Sequence, residues 1–306
     1  MCVIPGSPED LAAHVVIDTM GAAIRDGATS TELFFRRGVA HKQTFHLPLA
    51  VDDFTDVIAR ADRADVMLGR AHFFRSICNR RMQRFDDAIV DGNAAVALRP
   101  TDSHTWTVRG FARAQVGLLD DAERDLTEAL RLDPTNWLAE VYRGFNRFSA
   151  GDHGDAIRAY DRAMSLTNGW VSFGPYLNRG ITHLVLGDLE RARHDIEHAA
   201  ALRPNQRLTA TDPRPNAYLA LVRFLEGRFD DAHHEVHEAE HLGPDAMASL
   251  VHAMLDARAG NRVALNSLLS DMAAWHPGGM VAGAQVAARF LADPVSIIPL
   301  INPLTR

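Results

Sequence analysis

Six alanines, Ala50, Ala88, Ala122, Ala156, Ala192 and Ala232, stand 38, 34, 34, 36 and 40 residues apart. A column of small residues, Gly38, Ser76, Gly110, Gly144, Gly180 and Ala220, repeats those spacings. So does a third column, Arg37, Arg75, Arg109, Arg143, Arg179 and Leu219. Three columns in one register define an internal repeat of about 34 residues. A unit of that size buries its apolar face only against its neighbours, so the chain must form a stack.

The copy from Ser103 to Asn136 shows what the unit is. With Ser103 as position 1, the three columns are positions 20, 8 and 7. Ser103 is placed to cap a first helix, which Gly117 ends. Asp120, Asp121 and Glu123 crowd the start of a second helix, where the dipole favours acids. Leu119, Ala122, Leu126, Ala129 and Leu130 recur at three and four residues, and Pro134 stops the chain. The unit is an antiparallel helix hairpin with a short turn, and Gly110 lets its helices approach closely.

Trp106, Gly110, Gly117, Ala122, Leu126, Ala129 and Pro134 together resemble the tetratricopeptide repeat. The next copy supplies Gly144, Gly151, Ala156, Tyr160 and Ala163, with Asn168 in place of the proline. The one after supplies Tyr176, Gly180, Gly187, Ala192, Ile196, Ala199 and Pro204. The resemblance covers roughly residues 31–246 and implies an all-α, right-handed solenoid of six hairpins.

Residues 1–30 read as an N-terminal cap, with a helix over 7–26 that has Pro8 at its start and Gly27 past its end. Residues 247–306 read as a degenerate hairpin, a helix over 280–292 and an apolar tail. Val295, Ile297, Ile298, Leu300, Ile301 and Leu304 punctuated by three prolines would cover the last hairpins or dock in a groove. Through that tail the chain could also self-associate.

The sequence holds two cysteines, no long apolar run and no leader pattern at its start, which fits a cytoplasmic protein without a membrane span. A net charge of −7 disfavours nucleic acid. Lys42 is the only lysine beside abundant arginine and alanine, which hints at a bacterial, GC-rich source.

The resemblance implies that first helices line a concave surface through positions 2, 5, 9, 12 and 13. These positions supply a candidate partner-binding groove of Phe73, Arg80, Arg81, His104, Phe111, Gln115, Val141, Phe145, Phe148, Leu177, Ile181, Leu184, Leu221 and Phe224. The groove is basic at its N-terminal side and apolar from Phe111 onward. Some relatives clamp a peptide C-terminus with Lys and Asn at positions 5 and 9. Phe73 and Ile77, Thr107 and Phe111 stand there instead, so that clamp is absent.

Acids recur at positions 23 and 19. In an antiparallel hairpin, facing positions have a constant sum, so 7 should face 23 and 11 should face 19. Arg75–Asp91, Arg109–Asp125, Arg179–Asp195, Arg113–Asp121 and Arg147–Asp155 are the expected pairs. Arg143 lacks its acid, because Ala159 stands at position 23. Repetition in every copy marks these arginines as architectural.

His233, His237 and His241 lie four apart on one face of a second helix and are weak candidate metal ligands. No phosphate loop, dinucleotide fingerprint or nucleophile motif occurs, and no cofactor is implied. The reading is a non-catalytic scaffold that binds a protein or peptide. The alternatives are a metal-dependent or peptide-modifying enzyme on the same scaffold and a regulator that responds to a small ligand.

Overall fold

A computed structural model describes residues 8–62, 65–167, 173–202 and 212–259. The described residues form fourteen α-helices and no strand. The lead-in helix is α1 (Pro8–Arg25). Five hairpins follow as α2 (Thr31–Gln43) with α3 (Leu47–Arg60), α4 (Val66–Arg81) with α5 (Phe85–Leu98), α6 (Ser103–Gln115) with α7 (Leu119–Leu132), α8 (Trp137–Ser149) with α9 (His153–Leu166), and α10 (Phe173–Val185) with α11 (Leu189–Leu202). The sixth is α12 (Arg214–Leu225) with α13 (Phe229–Leu242), and α14 (Ala246–Arg258) comes after it. None of these helices is long and apolar enough to cross a membrane. The expected helix over 280–292 and the tail lie outside the described residues.

The repeat columns have direct physical roles. All six column alanines are fully buried. A Cβ added at Gly110 would stand 3.0 Å from Leu126 Cγ and 3.3 Å from the Ala122 carbonyl, so α6 and α7 meet backbone to backbone there. Each hairpin turns through one left-handed residue: Gly117, Gly151, Gly187 and Gly227 have φ of 77–85°, the conformation that glycine adopts without steric cost. In the first two hairpins the same place holds Phe45 (φ 61°) and Gln83 (φ 59°). Ser103 does not cap α6. Asp102 does, accepting from the His104 amide, while the buried Ser103 hydroxyl donates to the Ala129 carbonyl at 2.9 Å and accepts from Asn136 at 2.6 Å.

The chain packs as two compact units, Met1–Asn146 and Arg147–Arg306. The N-terminal unit has an aromatic core in which Phe35, Phe54 and Phe74 lie with ring centroids 5.7–5.8 Å apart. The core of the C-terminal unit is aliphatic: Leu177, Ile196, Leu221 and Val222 pack with Met247, Val251 and Met254 of α14. Within each unit consecutive first helices approach each other more closely than consecutive second helices do, α2 meeting α4, α4 meeting α6, and α10 meeting α12. The first helices therefore form the inner wall of each unit.

Candidate functional site: the inner wall and its charge ladder

Four arginines at position 7 hold the buried acid at position 23 of their own hairpin. Arg37–Asp53, Arg75–Asp91, Arg109–Asp125 and Arg179–Asp195 pair at 2.6–2.7 Å, and each aspartate is at most 2% exposed. Each guanidinium presents Nε and Nη2 together, the planar fork that suits a carboxylate. Three of them also reach back to position 25 of the preceding hairpin. Arg75 Nη1 donates to Thr55 at 2.9 Å, Arg109 Nη1 to Asn93 at 3.0 Å and Arg179 Nη1 to Asp161 at 2.5 Å. Removing one partner of such a buried pair strands the other charge, which costs about 3–5 kcal/mol.

The expected pairing of positions 11 and 19 is wrong. Arg113 bonds Asp125 at 2.9 Å, and Asp121 instead holds Arg124 one turn along its own helix. Arg147 meets Asp152 at 3.4 Å, while Asp155 pairs with Arg158. The cause is the tilt of side chains toward the N-terminus of their helix. Residues at 11 lean toward 23, and residues at 19 lean away into the turn. Position 11 thus supplies a further partner to the position-23 acid: Asn79 donates to Asp91 at 3.2 Å, and His41 lies 3.9 Å from Asp53. Arg143, without its acid, takes Glu140 at 2.7 Å.

The local donors set how Asp53 and Asp91 titrate. Burial pushes Asp53 upward, and Arg37 does not fully offset it. Burial also opposes ionisation of Asp91, but there His72, at 2.9 Å, and Arg75 outweigh it and hold the carboxyl below its ordinary range. His41 is pushed down to about 4, first by burial and then by the charge of Arg37.

The candidate groove residues divide into two sets. Phe73, Phe111, Phe145, Ile181 and Phe224 are partly exposed, Arg80 is half-buried, and Arg81 and His104 are exposed. Gln115, Val141, Phe148, Leu177, Leu184 and Leu221 are buried, which leaves them little surface to offer. In the N-terminal unit the open set converges. The Phe111 and Tyr142 rings lie 4.1 Å apart, Phe145 lies 5.6 Å from Phe111, and the Arg80 guanidinium stands 5.0 Å over Phe111 and 5.9 Å from Tyr142. Tyr142, at position 6, lies outside the positions used to read the groove. The aromatic residue it faces, Phe111 of the preceding hairpin, was the available clue. Arg81 covers the Phe45 ring at 5.4 Å, and His104 stays by its cap residue Asp102 at 3.6 Å. In the C-terminal unit Ile181 and Phe224 rest on the aliphatic core, with Phe229 edge-on to Phe224 at 5.5 Å.

The histidine candidates do not converge as three. His237 and His241 meet at 3.2 Å through their Nε2 atoms, while His233 is 6.5 Å, ring to ring, from His252. Among the described residues no group of three His, Cys, Asp or Glu side chains is placed to hold a metal ion. A cleft of about 660 Å³ in the C-terminal unit is lined by Asp161, Arg179, His183, Asp188, His194 and Asp195 among others. It is the polar seam of the ladder, and Arg179 already holds Asp161 and Asp195.

No protein-family model matches the chain, and no curated protein matches it. Solved structures do. The APC/C hetero-tetramer Cut9-Hcn1 aligns with a TM-score of 0.66 at 16% identity, over 79% of this chain and 46% of that one. The chain thus spans about half the length of that structure's matched chain. A tetratricopeptide repeat protein from Parabacteroides merdae aligns at 0.59 with 13% identity, over 90% of this chain and 98% of that one. A thermophilic TPR protein of Thermus thermophilus aligns at 0.54 with 17% identity, over 64% of this chain and all of that one. The fold is the tetratricopeptide-repeat fold: an all-α solenoid of antiparallel hairpins, here with a buried arginine–aspartate ladder.

Proposed function

We propose that the chain is a non-catalytic scaffold that binds a protein or peptide on the inner wall of its hairpins. The observation that carries this is the partly exposed aromatic patch of Phe111, Tyr142 and Phe145 beneath Arg80. Aromatic and arginine side chains of this kind supply most of the binding energy at protein interfaces. Ile181 and Phe224 extend the same chemistry in the C-terminal unit. The solved neighbours support the general role, since one of them is a subunit of a multiprotein assembly. The low cysteine count supports a cytoplasmic setting.

The test is capture of partners by the full chain, with Phe145→Ala as control. Truncation of one aromatic anchor is expected to weaken binding by about 2 kcal/mol, or roughly thirtyfold, with the helical circular dichroism unchanged. Equal recovery of partners by both proteins would remove the patch from the binding surface.

A further inference from the structure

Arg80 differs from the ladder arginines. Those four each hold a buried carboxylate. Arg80 has none within salt-bridge distance among the described residues, and its buried Nε has no hydrogen-bond partner. A buried donor without an acceptor is costly, so this guanidinium is short of partners within the chain. The guanidinium lies over Phe111 and Tyr142, so the rings fix its plane; its Nε is enclosed, and the two Nη groups are the part that can meet a ligand.

The surroundings favour an anion. At positions 2, 5, 9, 12 and 13 of the second and third hairpins stand Arg70, Arg80, Arg81 and His104, and no acid. The chain as a whole carries a net charge of −7, so this stretch of inner wall opposes the sign of the molecule. The chain's own tail offers no side-chain carboxylate, because residues 294–306 contain no Asp or Glu.

We infer that Arg80 receives a side-chain carboxylate of the bound peptide, whose flanking apolar residues pack on Phe111 and Phe145. This rests on the peptide-binding reading above and specifies its ligand as an acidic residue within an apolar sequence. A planar carboxylate can accept two parallel N–H bonds from the guanidinium, and such a charge-assisted pair is both strong and orienting. The arrangement differs from a C-terminal clamp at positions 5 and 9, where this chain has Phe73, Ile77, Thr107 and Phe111.

The test is selection of random dodecapeptides, displayed with their C-termini fused, on the full chain and on Arg80→Gln. Fusion leaves side-chain carboxylates as the peptide's acids. The wild type is expected to enrich one Asp or Glu among apolar residues. Arg80→Gln is expected to keep the apolar enrichment and lose the acid, and Arg80→Lys to retain part of it. In fluorescence titrations of one selected peptide, Glu→Gln in the peptide and Arg80→Gln in the protein should each weaken binding about tenfold. Both changes together should cost no more than one. Apolar peptides without an acid, enriched equally by wild type and Arg80→Gln, would overturn the carboxylate assignment and leave the groove reading standing. Enrichment of basic peptides would also overturn it. No enrichment by the wild type would overturn both.

Discussion

The first helices of the two units expose the same repeat positions to different extents. In the N-terminal unit Arg80, Phe111 and Phe145 stay partly open on the inner wall. In the C-terminal unit Leu177, Leu184 and Leu221 are at most 4% exposed, and only Ile181 and Phe224 among the groove candidates there stay partly open. The difference has an identifiable source. α14 packs on α12 and α13 and brings Met247, Val251 and Met254 into their core, which closes the face around Leu221 while Phe224 stays partly exposed. Repeat position tells which wall a residue belongs to. Whether the wall is open depends on what the chain places against it.

The contrast extends to what holds each unit together, and the largest expected effect tests that. Three of the four ladder pairs lie in the N-terminal unit. Asp125→Ala leaves Arg109 and Arg113 without their shared acid and is expected to cost about 3–5 kcal/mol in urea denaturation. A loss below about 1 kcal/mol, the range of exposed pairs, would show that the ladder is solvated and contributes little. Leu221→Ala probes the aliphatic side. It opens a cavity in the C-terminal core and is expected to cost about 2–5 kcal/mol. If the loss instead resembles that of a surface leucine, α14 does not close this face in solution.

A smaller effect comes from pH. His41 is neutral in the fold down to about pH 4, whereas in the unfolded chain it protonates near its ordinary value of about 6.5. The unfolded state therefore binds the extra proton first. Stability is complete above that range and declines as pH falls from about 6.5 to 4, by on the order of 1–2 kcal/mol. Arg37, His46, His14 and Asp53 face this ring. Burial lowers His183 in the C-terminal unit in the same direction. Asp91 is held low, so its contribution persists until pH falls below the ordinary carboxylate range of about 3.9. Urea midpoints at about pH 7.5 and about pH 5, on either side of the ordinary histidine value, should differ, and His41→Gln should narrow the gap. An unchanged gap would assign the acid sensitivity elsewhere. The smallest expected effect is at the turns. Gln83→Gly relieves a left-handed glutamine and should raise stability by about 0.5–1 kcal/mol, whereas no gain would mean that the turn is relaxed as it stands.

Much of this architecture was legible because a repeated sequence reports the same constraint several times. The alanine column marked the helix contacts, and the position-7 and position-23 columns marked four buried pairs. The 11–19 pairing failed because a sum rule treats side chains as perpendicular to the helix. Arg113 leans a full turn toward Asp125. The reach of Arg109 to Asn93 was not legible, since it crosses between hairpins whereas each repeat column reports contacts within one. Of the groove, the wall was legible and the exposure was not. Nothing at position 9 alone distinguishes the partly open Phe111 from the buried Leu221. That distinction depends on α14, which lies beyond the last well-matched copy.

The backward reach of the position-7 arginine constrains how such a chain can change length. A hairpin inserted beside Arg75, Arg109 or Arg179 must bring an acceptor for the arginine after it. Thr55, Asn93 and Asp161 show that the acceptor is chemically permissive, needing only an oxygen at position 25. The buried aspartate can be lost only where the arginine finds another acid, as Arg143 finds Glu140. Gain or loss of whole hairpins is thus compatible with the seam so long as each joint keeps its oxygen, whereas a partial hairpin would leave a guanidinium facing nothing.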